Sequence, residues 1–381
     1  MTRKAICAKE TLVDGKFISG LAVIIENGSI VELLDIGQVS KDTKIDHYSD
    51  SVLVPGFVDI QVNGGGGVLF NDNPSVSTIE KIGSAHRKYG TTSFLPTIIS
   101  DDLEKVAEAI AAVDEAIKSG VPGVEGIHIE GPFLNEQKKG IHDASKFRRL
   151  SENDIKLLTS LKSGKTLLTI APEVNDNELI STLHHAGIIL SAGHTNASYE
   201  QAMSAVNKGI SGFTHLYNAM SAFESRAPGV VGAAFDSVQS WASIIADGHH
   251  VHPAALKHAI ECKGIQKTIL ITDAMPTVGS DVKEFWLGSE HITAKDGTCK
   301  NHEGSLAGSD LDMISAVKYV NETLGYKLED AIAMATLSPS SFMKLDDKIG
   351  AVAVGKKANF VLLNEELSVT NTWIDGLPDN H

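Results

Sequence analysis

The sequence predicts an α/β protein: a (β/α)8 TIM-like barrel carrying a small β-sandwich made from both chain ends. Three observations predict it. Eight short, apolar, strand-like runs alternate with helical patterns through the middle of the chain. Five polar residues, Glu130, His194, His215, His250 and Asp273, each sit where such a run ends. The two ends are rich in β-branched residues and turn glycines, and each is too short to bury a core alone. Buried parallel strands read as near-continuous apolar runs. Barrel active sites are built from the C-terminal ends of several different strands.

In chain order, residues 1–52 are β-rich. LAVIIENGSIVELL (21–34) alternates on both sides of Glu26-Asn27-Gly28, which signals a hairpin. Strand-like runs follow near 52–63, 91–99, 124–130, 166–172, 188–194, 210–216, 241–247 and 268–273. Helical patterns fill the gaps. LEKVAEAIAAVDEAIK (103–118) spaces Leu103, Val106, Ile110, Val113 and Ile117 by three and four, one apolar stripe of a helix. Ser77-x-x-Glu80 and Ser198-x-x-Gln201 read as capping boxes that start helices. Residues 280–304 break the alternation and read as an inserted β excursion. KIGAVAVGKKANFVLLN (348–364) returns to β character. The expected division is 1–52 plus 350–381 for the sandwich and 53–349 for the barrel. A doubly wound sheet is the alternative, but no G-x-G-x-x-G follows the first strand.

Composition narrows the function classes. A formal net charge of −15 over 381 residues disfavours nonspecific binding to nucleic acid or to an anionic membrane, both of which need basic surface. No apolar stretch approaches the roughly 18 residues of a membrane span. The N-terminal MTRKAICAKETLVDG has no signal-peptide core. Cys7, Cys262 and Cys299 lie far apart and read as reduced thiols. The expectation is a soluble cytoplasmic protein.

The chemistry lies at the strand ends. A lone histidine in SAGHT or GFTHL is more often a hydrogen-bonded core residue. His194 and His215 at adjacent strand ends, with Glu130 at a third, are instead a sufficient ligand set for a catalytic zinc with an open position. A buried carboxylate needs a cation or a hydrogen-bond network. His128 shares the strand face of Glu130, where a supporting role is preferred to ligation. Asp273 in ILITDAM is the candidate general base; its bland alternative is a helix N-cap. Gln61 and Asn63 alternate onto one face of the first strand, where histidines would make a second metal site. Neutral amides are poor zinc ligands, so they predict hydrogen bonding and one tight metal. Arg226, in a polar loop, and His250 are candidates for binding an anionic substrate. His249, His250 and His252 straddle a helix start at Pro253 and cannot all converge on one ion.

Taken together, PGFVDIQVNGGGG, HIEGPFLN, KGIHD, GHTNAS, THLYNAM, ADGHHV, TDAM and LAGS (306–309) resemble the amidohydrolase superfamily. Within it they are similar to the N-acetylglucosamine-6-phosphate deacetylases. The resemblance implies one divalent metal per subunit, zinc first with iron, cobalt or manganese as alternatives, on Glu130, His194 and His215. It implies Asp273 as the catalytic acid/base. It implies substrate contacts at Gln61, His142, Asn218, Ala219, Arg226 and His250, and at the backbone of Leu306, Ala307 and Gly308. It also implies a homodimer in which Arg226 reaches the neighbour's phosphate site. The implied reaction converts N-acetylglucosamine 6-phosphate to glucosamine 6-phosphate and acetate. The galactosamine epimer remains open as substrate, as does a noncatalytic protein of this fold, which the missing first-strand histidines suggest.

Overall fold

The computed structural model describes residues 3–380. At its centre eight parallel strands lie side by side in chain order. They are β1 (Phe57–Val62), β2 (Thr91–Ile99), β3 (Gly126–Glu130), β4 (Lys165–Ile170), β5 (Ile189–Ala192), β6 (Ile210–Phe213), β7 (Trp241–Ile244) and β8 (Thr268–Leu270). The sheet returns on itself beyond β8. Asp273 N–H donates to the Gln61 carbonyl at 3.0 Å, and Val62 bridges to Ala274 in parallel. The ring is thereby a nearly closed barrel, with the last strand's extension beside the first.

Helices return the chain between strands: α1 (Val76–Arg87), α2 (Leu103–Lys118), α3 (Glu152–Leu158), α4 (Asn177–His185), α5 (Tyr199–Val206), α6 (Gly229–Asp236) and α7 (Pro253–Lys263), with α8 (Met313–Lys318) after β8. The stripe read in 103–118 is the inward face of α2: Val106, Ile110 and Val113 are buried, with Leu103 and Ile117 packed at its edge. The α5 capping box forms as read. Ser198 Oγ accepts from Gln201 N–H at 3.2 Å, and Gln201 Oε1 accepts from Ser198 N–H at 2.9 Å. The box read at Ser77 and Glu80 does not form. Ser75, two residues earlier, is the N-cap of α1 and accepts from Thr78 N–H, which leaves Ser77 inside the first turn.

Strands from both chain ends hydrogen-bond into one eight-stranded sheet. Lys44–Pro55 joins them, pairing parallel with Lys4–Val13 and antiparallel with Phe360–Leu363, before the chain enters β1. Alternation gives each face its own apolar cluster. Ile6, Val23, Ile25, Phe360 and Trp373 lie on one side; Ala5, Cys7, Ala22 and Ile24 lie on the other. The hairpin turn has Asn27 at φ 50° and Gly28 at φ 81°. Positive φ at both positions suits a tight turn that follows the strand twist.

The segment after β8 forms a four-stranded antiparallel sheet that ends at Leu306–Ser309. Ser309 pairs back onto the β8 extension: its N–H donates to Asp273 O at 2.9 Å, and Met275 N–H donates to Ser309 O at 3.0 Å. The excursion therefore delivers residues 306–309 to the barrel rim. Cys7, Cys262 and Cys299 are free thiols. Among the described residues, no helix is long and apolar enough to cross a membrane.

Candidate metal centre and active site

The site is built where strands end. Glu130 is the last residue of β3, and His194, His215 and Asp273 follow β5, β6 and β8 by a few residues. His194, His215 and Asp273 all adopt left-handed backbone, at φ 47°, 37° and 52°. That conformation costs a non-glycine residue about 1–2 kcal/mol, and such strain persists only where surrounding structure dictates it. Here flanking ladders fix each turn. Thr214 N–H donates to Ala192 O, Leu216 N–H to Ser243 O, and Asp273 N–H to Gln61 O.

The result is a tight triad. Glu130 Oε1 lies 2.9 Å from His215 Nε2 and 3.2 Å from His194 Nε2, and the two Nε2 atoms are 3.1 Å apart. All three residues are buried. A tetrahedral ion with bonds of about 2.0–2.1 Å holds its ligand atoms about 3.3–3.4 Å apart, so this triangle fits one. The imidazole orientation fits too. His194 Nδ1 donates to the Lys138 carbonyl at 2.8 Å, which leaves the Nε2 lone pair facing the centre. Two imidazoles and a carboxylate suit zinc, and equally an iron(II) site with open positions. Without an ion, burial pushes the Glu130 carboxyl up, but the bonds from His194 and His215 outweigh it and hold it well below the usual range. Burial opposes a charge on His215, yet its bond to Glu130 raises its affinity for a proton. A metal binds imidazoles in their neutral form, so uptake at this triad is linked to proton release.

Asp273 is linked to this centre through the first-strand amide of Gln61. Its Oδ1 accepts from Asn63 Nδ2 at 2.7 Å and from Gln61 Nε2 at 3.1 Å, and Gln61 Nε2 also reaches Glu130 Oε2 at 3.1 Å. The two first-strand amides are therefore tethers. Gln61 links the ligand carboxylate to Asp273, and Asn63 holds Asp273 alone. Burial, then the charge of Glu130, pushes the Asp273 carboxyl up to about 6. A carboxyl so placed moves a proton in either direction near neutral pH.

A cavity of about 180 Å³ opens over the triad. Its lining includes Glu130, His142, His194, His215, Asn218, Ala219, His250, Asp273, Leu306 and Gly308, with an apolar wall of Ile99, Ile141, Ile245 and Met275. His142 is buried, with Nδ1 2.8 Å from Ser100 Oγ and its ring 4.4 Å from that of His194. Burial, then neighbouring His194, lowers its affinity for a proton to about 3, so it serves as a neutral group. Gln61 lies beneath the cavity, bridging Glu130 and Asp273. Ala307 does not line it; the methyl packs into a cluster with Leu69, Met275 and Ile292. Arg226 does not line it either, and stands exposed on the loop between β6 and α6. His128 lies deeper in the barrel, bonded to Thr169 and Thr97, outside the ligand triangle.

Three supporting groups were not read from the sequence. The Lys138 carbonyl orients His194. Glu173, after β4, accepts from Thr195 Oγ1, Asn196 N–H and Asn135 Nδ2 at 2.5–2.7 Å and clamps the loop that carries His194. Asp247 bonds the His250 ring. The first two pairings depend on loops that meet only in the fold, whereas Asp247 and His250 stand three residues apart in one turn.

The amidohydrolase family model matches residues 52–377. The chain is 42% identical to the N-acetylgalactosamine-6-phosphate deacetylase of Shewanella sp. (strain ANA-3), over 96% of this chain and 93% of that one. It is 36% identical to the N-acetylglucosamine-6-phosphate deacetylase of Haemophilus influenzae, over 93% of each. The crystal structure of N-acetylglucosamine-6-phosphate deacetylase from Pasteurella multocida superposes with a TM-score of 0.96 at 32% identity, covering 100% of both chains. Barrel, strand-end triad and the match across the barrel agree, and the chain belongs to the amidohydrolase family.

Proposed function

We propose that this protein hydrolyses the N-acetyl amide of N-acetylglucosamine 6-phosphate to glucosamine 6-phosphate and acetate. The observation that carries the reading is the buried Glu130, His194 and His215 triangle with Asp273 tethered beside it. Those three residues would hold one divalent cation, zinc first, with iron, cobalt and manganese as alternatives. When bound, the cation supplies Lewis acidity, drawing electron density from the amide carbonyl and acidifying a water. Asp273 takes the proton from the attacking water and passes it to the departing amine. Gln61 and Asn63 keep the Asp273 carboxylate aimed while it does so. His142, Asn218, Ala219, His250 and the backbone at Leu306, Ala307 and Gly308 bind and orient the sugar, away from the bond that breaks. Arg226 reads the phosphate across a homodimer interface, which accounts for its exposure in one chain. The working unit is cytoplasmic, its barrel lying within residues 53–349 and its attached sheet drawn from the stretches 1–52 and 350–381, with Leu53–Pro55 continuing a strand of that sheet.

A second reading, the same chemistry on N-acetylgalactosamine 6-phosphate, is favoured by the Shewanella relative at 42% identity. Acetate release from the two epimers under matched conditions separates them. A kcat/KM ratio favouring the glucose epimer supports the first reading. A ratio favouring the galactose epimer replaces it with the second.

A further inference from the structure

Beyond β7 the chain turns at Asp247-Gly248-His249-His250, and this turn holds a buried acid–imidazole pair. The side chains of Asp247 and His250 are 4% and 5% exposed. Asp247 Oδ1 accepts the backbone N–H groups of His249 at 2.8 Å and His250 at 2.9 Å, and Oδ2 lies 2.6 Å from His250 Nδ1. Burial pushes the Asp247 carboxyl up, but the His250 ring and these backbone donors outweigh it and keep it ionised. Gly248 sits at φ 76°, and a Cβ there would lie 2.7 Å from the Tyr319 hydroxyl, so the turn is pressed against its neighbour.

The chemistry of the pair is directional. An ionised carboxylate only accepts hydrogen bonds, so His250 Nδ1 must carry a proton. The ring edge left for the cavity is Nε2, which has no partner among the described residues. Among the described residues, neither lysine nor arginine lines the cavity. His250 Nε2 is thus a polar atom outside the metal triad that is free to meet a ligand in the cavity.

We propose that Asp247 is a positioning residue: it fixes the plane and the protonation of the His250 ring so that Nε2 meets a substrate oxygen. This rests on the reading that the cavity binds a phosphorylated amino sugar. Asp247→Asn is the discriminating variant. Its amide oxygen still serves the two backbone N–H groups of the turn, while its NH2 faces Nδ1 and forces the ring proton onto Nε2.

Two measurements test the proposal on zinc-loaded full-length protein. In the first, Asp247→Asn raises KM by about 10–100-fold, the scale of a lost hydrogen bond to a charged group, with a smaller change in kcat. The same substitution on a His250→Ala background costs nothing further. A loss as large on both backgrounds means that Asp247 acts through the turn and overturns the proposal. In the second, ¹⁵N-histidine NMR of substrate-free protein, with the His250 signals identified by their loss in His250→Ala, shows Nδ1 protonated in the wild type and Nε2 alone protonated in Asp247→Asn. An unchanged tautomer also overturns it. If the wild type turns over neither epimer the substrate reading falls, and the NMR result still decides where Asp247 places the proton.

Discussion

At the scale of single residues, the site depends on side chains that the backbone turns inward at strand ends. Left-handed φ at His194, His215 and Asp273 places these groups on the cavity. Asp273 is held by two amides on one oxygen, so Asp273→Asn keeps the shape and removes the proton carrier. We expect that variant to retain metal content and melting temperature and to lose about 10²–10⁴ in kcat. Near-normal turnover would remove Asp273 from the acid/base role. These residues were legible in the sequence because buried parallel strands announce their ends, and a polar group there has few bland explanations. Their supports were not. The Lys138 carbonyl has no side-chain signature, and Glu173 pairs with residues some twenty to forty positions away along the chain.

At the scale of elements, helix and strand positions followed from periodicity, and the errors lie in local hydrogen bonding. Ser75 and Ser77 are both plausible caps by composition, and only the path of the preceding loop decides between them. Ser198→Ala should therefore cost about 0.5–2 kcal/mol in a denaturant melt and Ser77→Ala much less; equal costs would contradict the assignment. Barrel closure carries a second, pH-dependent expectation. Asp59 in β1 is wholly buried and accepts from Thr272 Oγ1 at 2.5 Å, tying the first strand to the end of the last. Burial pushes its carboxyl up to about 7 despite these bonds. The folded chain therefore holds a proton that the unfolded chain releases near pH 4. Folding takes up a proton between about pH 4 and 7, so this group's contribution to stability declines as pH rises through that window. Melting temperatures across it should show Asp59→Asn gaining on the wild type as pH rises. Parallel profiles would mean that Asp59 does not titrate there.

At the scale of the whole molecule, the end sheet and the excursion are more than decoration around a barrel. Lys44–Pro55 ties both chain ends to the entrance of β1, and the excursion returns Leu306–Ser309 to the rim beside Asp273. The sequence showed that the ends were β-rich, but the pairing of Lys44–Pro55 with both of them depends on long-range contacts. The exposed Arg226 poses the clearest question at this scale. If it serves the neighbour's site, Arg226→Ala should raise KM for the phosphorylated sugar by about 10–100-fold and leave plain N-acetylglucosamine little changed. Mixing Arg226→Ala with Asp273→Asn subunits should then restore activity that neither has alone. Equal losses on both sugars would show that Arg226 does not read phosphate, and no recovery on mixing would place it outside a shared site.

The central claim is one-ion deacetylation at the Glu130, His194 and His215 triad. Its most direct test is acetate release from N-acetylglucosamine 6-phosphate by metal-stripped protein as zinc is added back. The account predicts negligible turnover without metal and full recovery at one equivalent per chain. Recovery only at two equivalents, or full activity in the stripped protein, would contradict it.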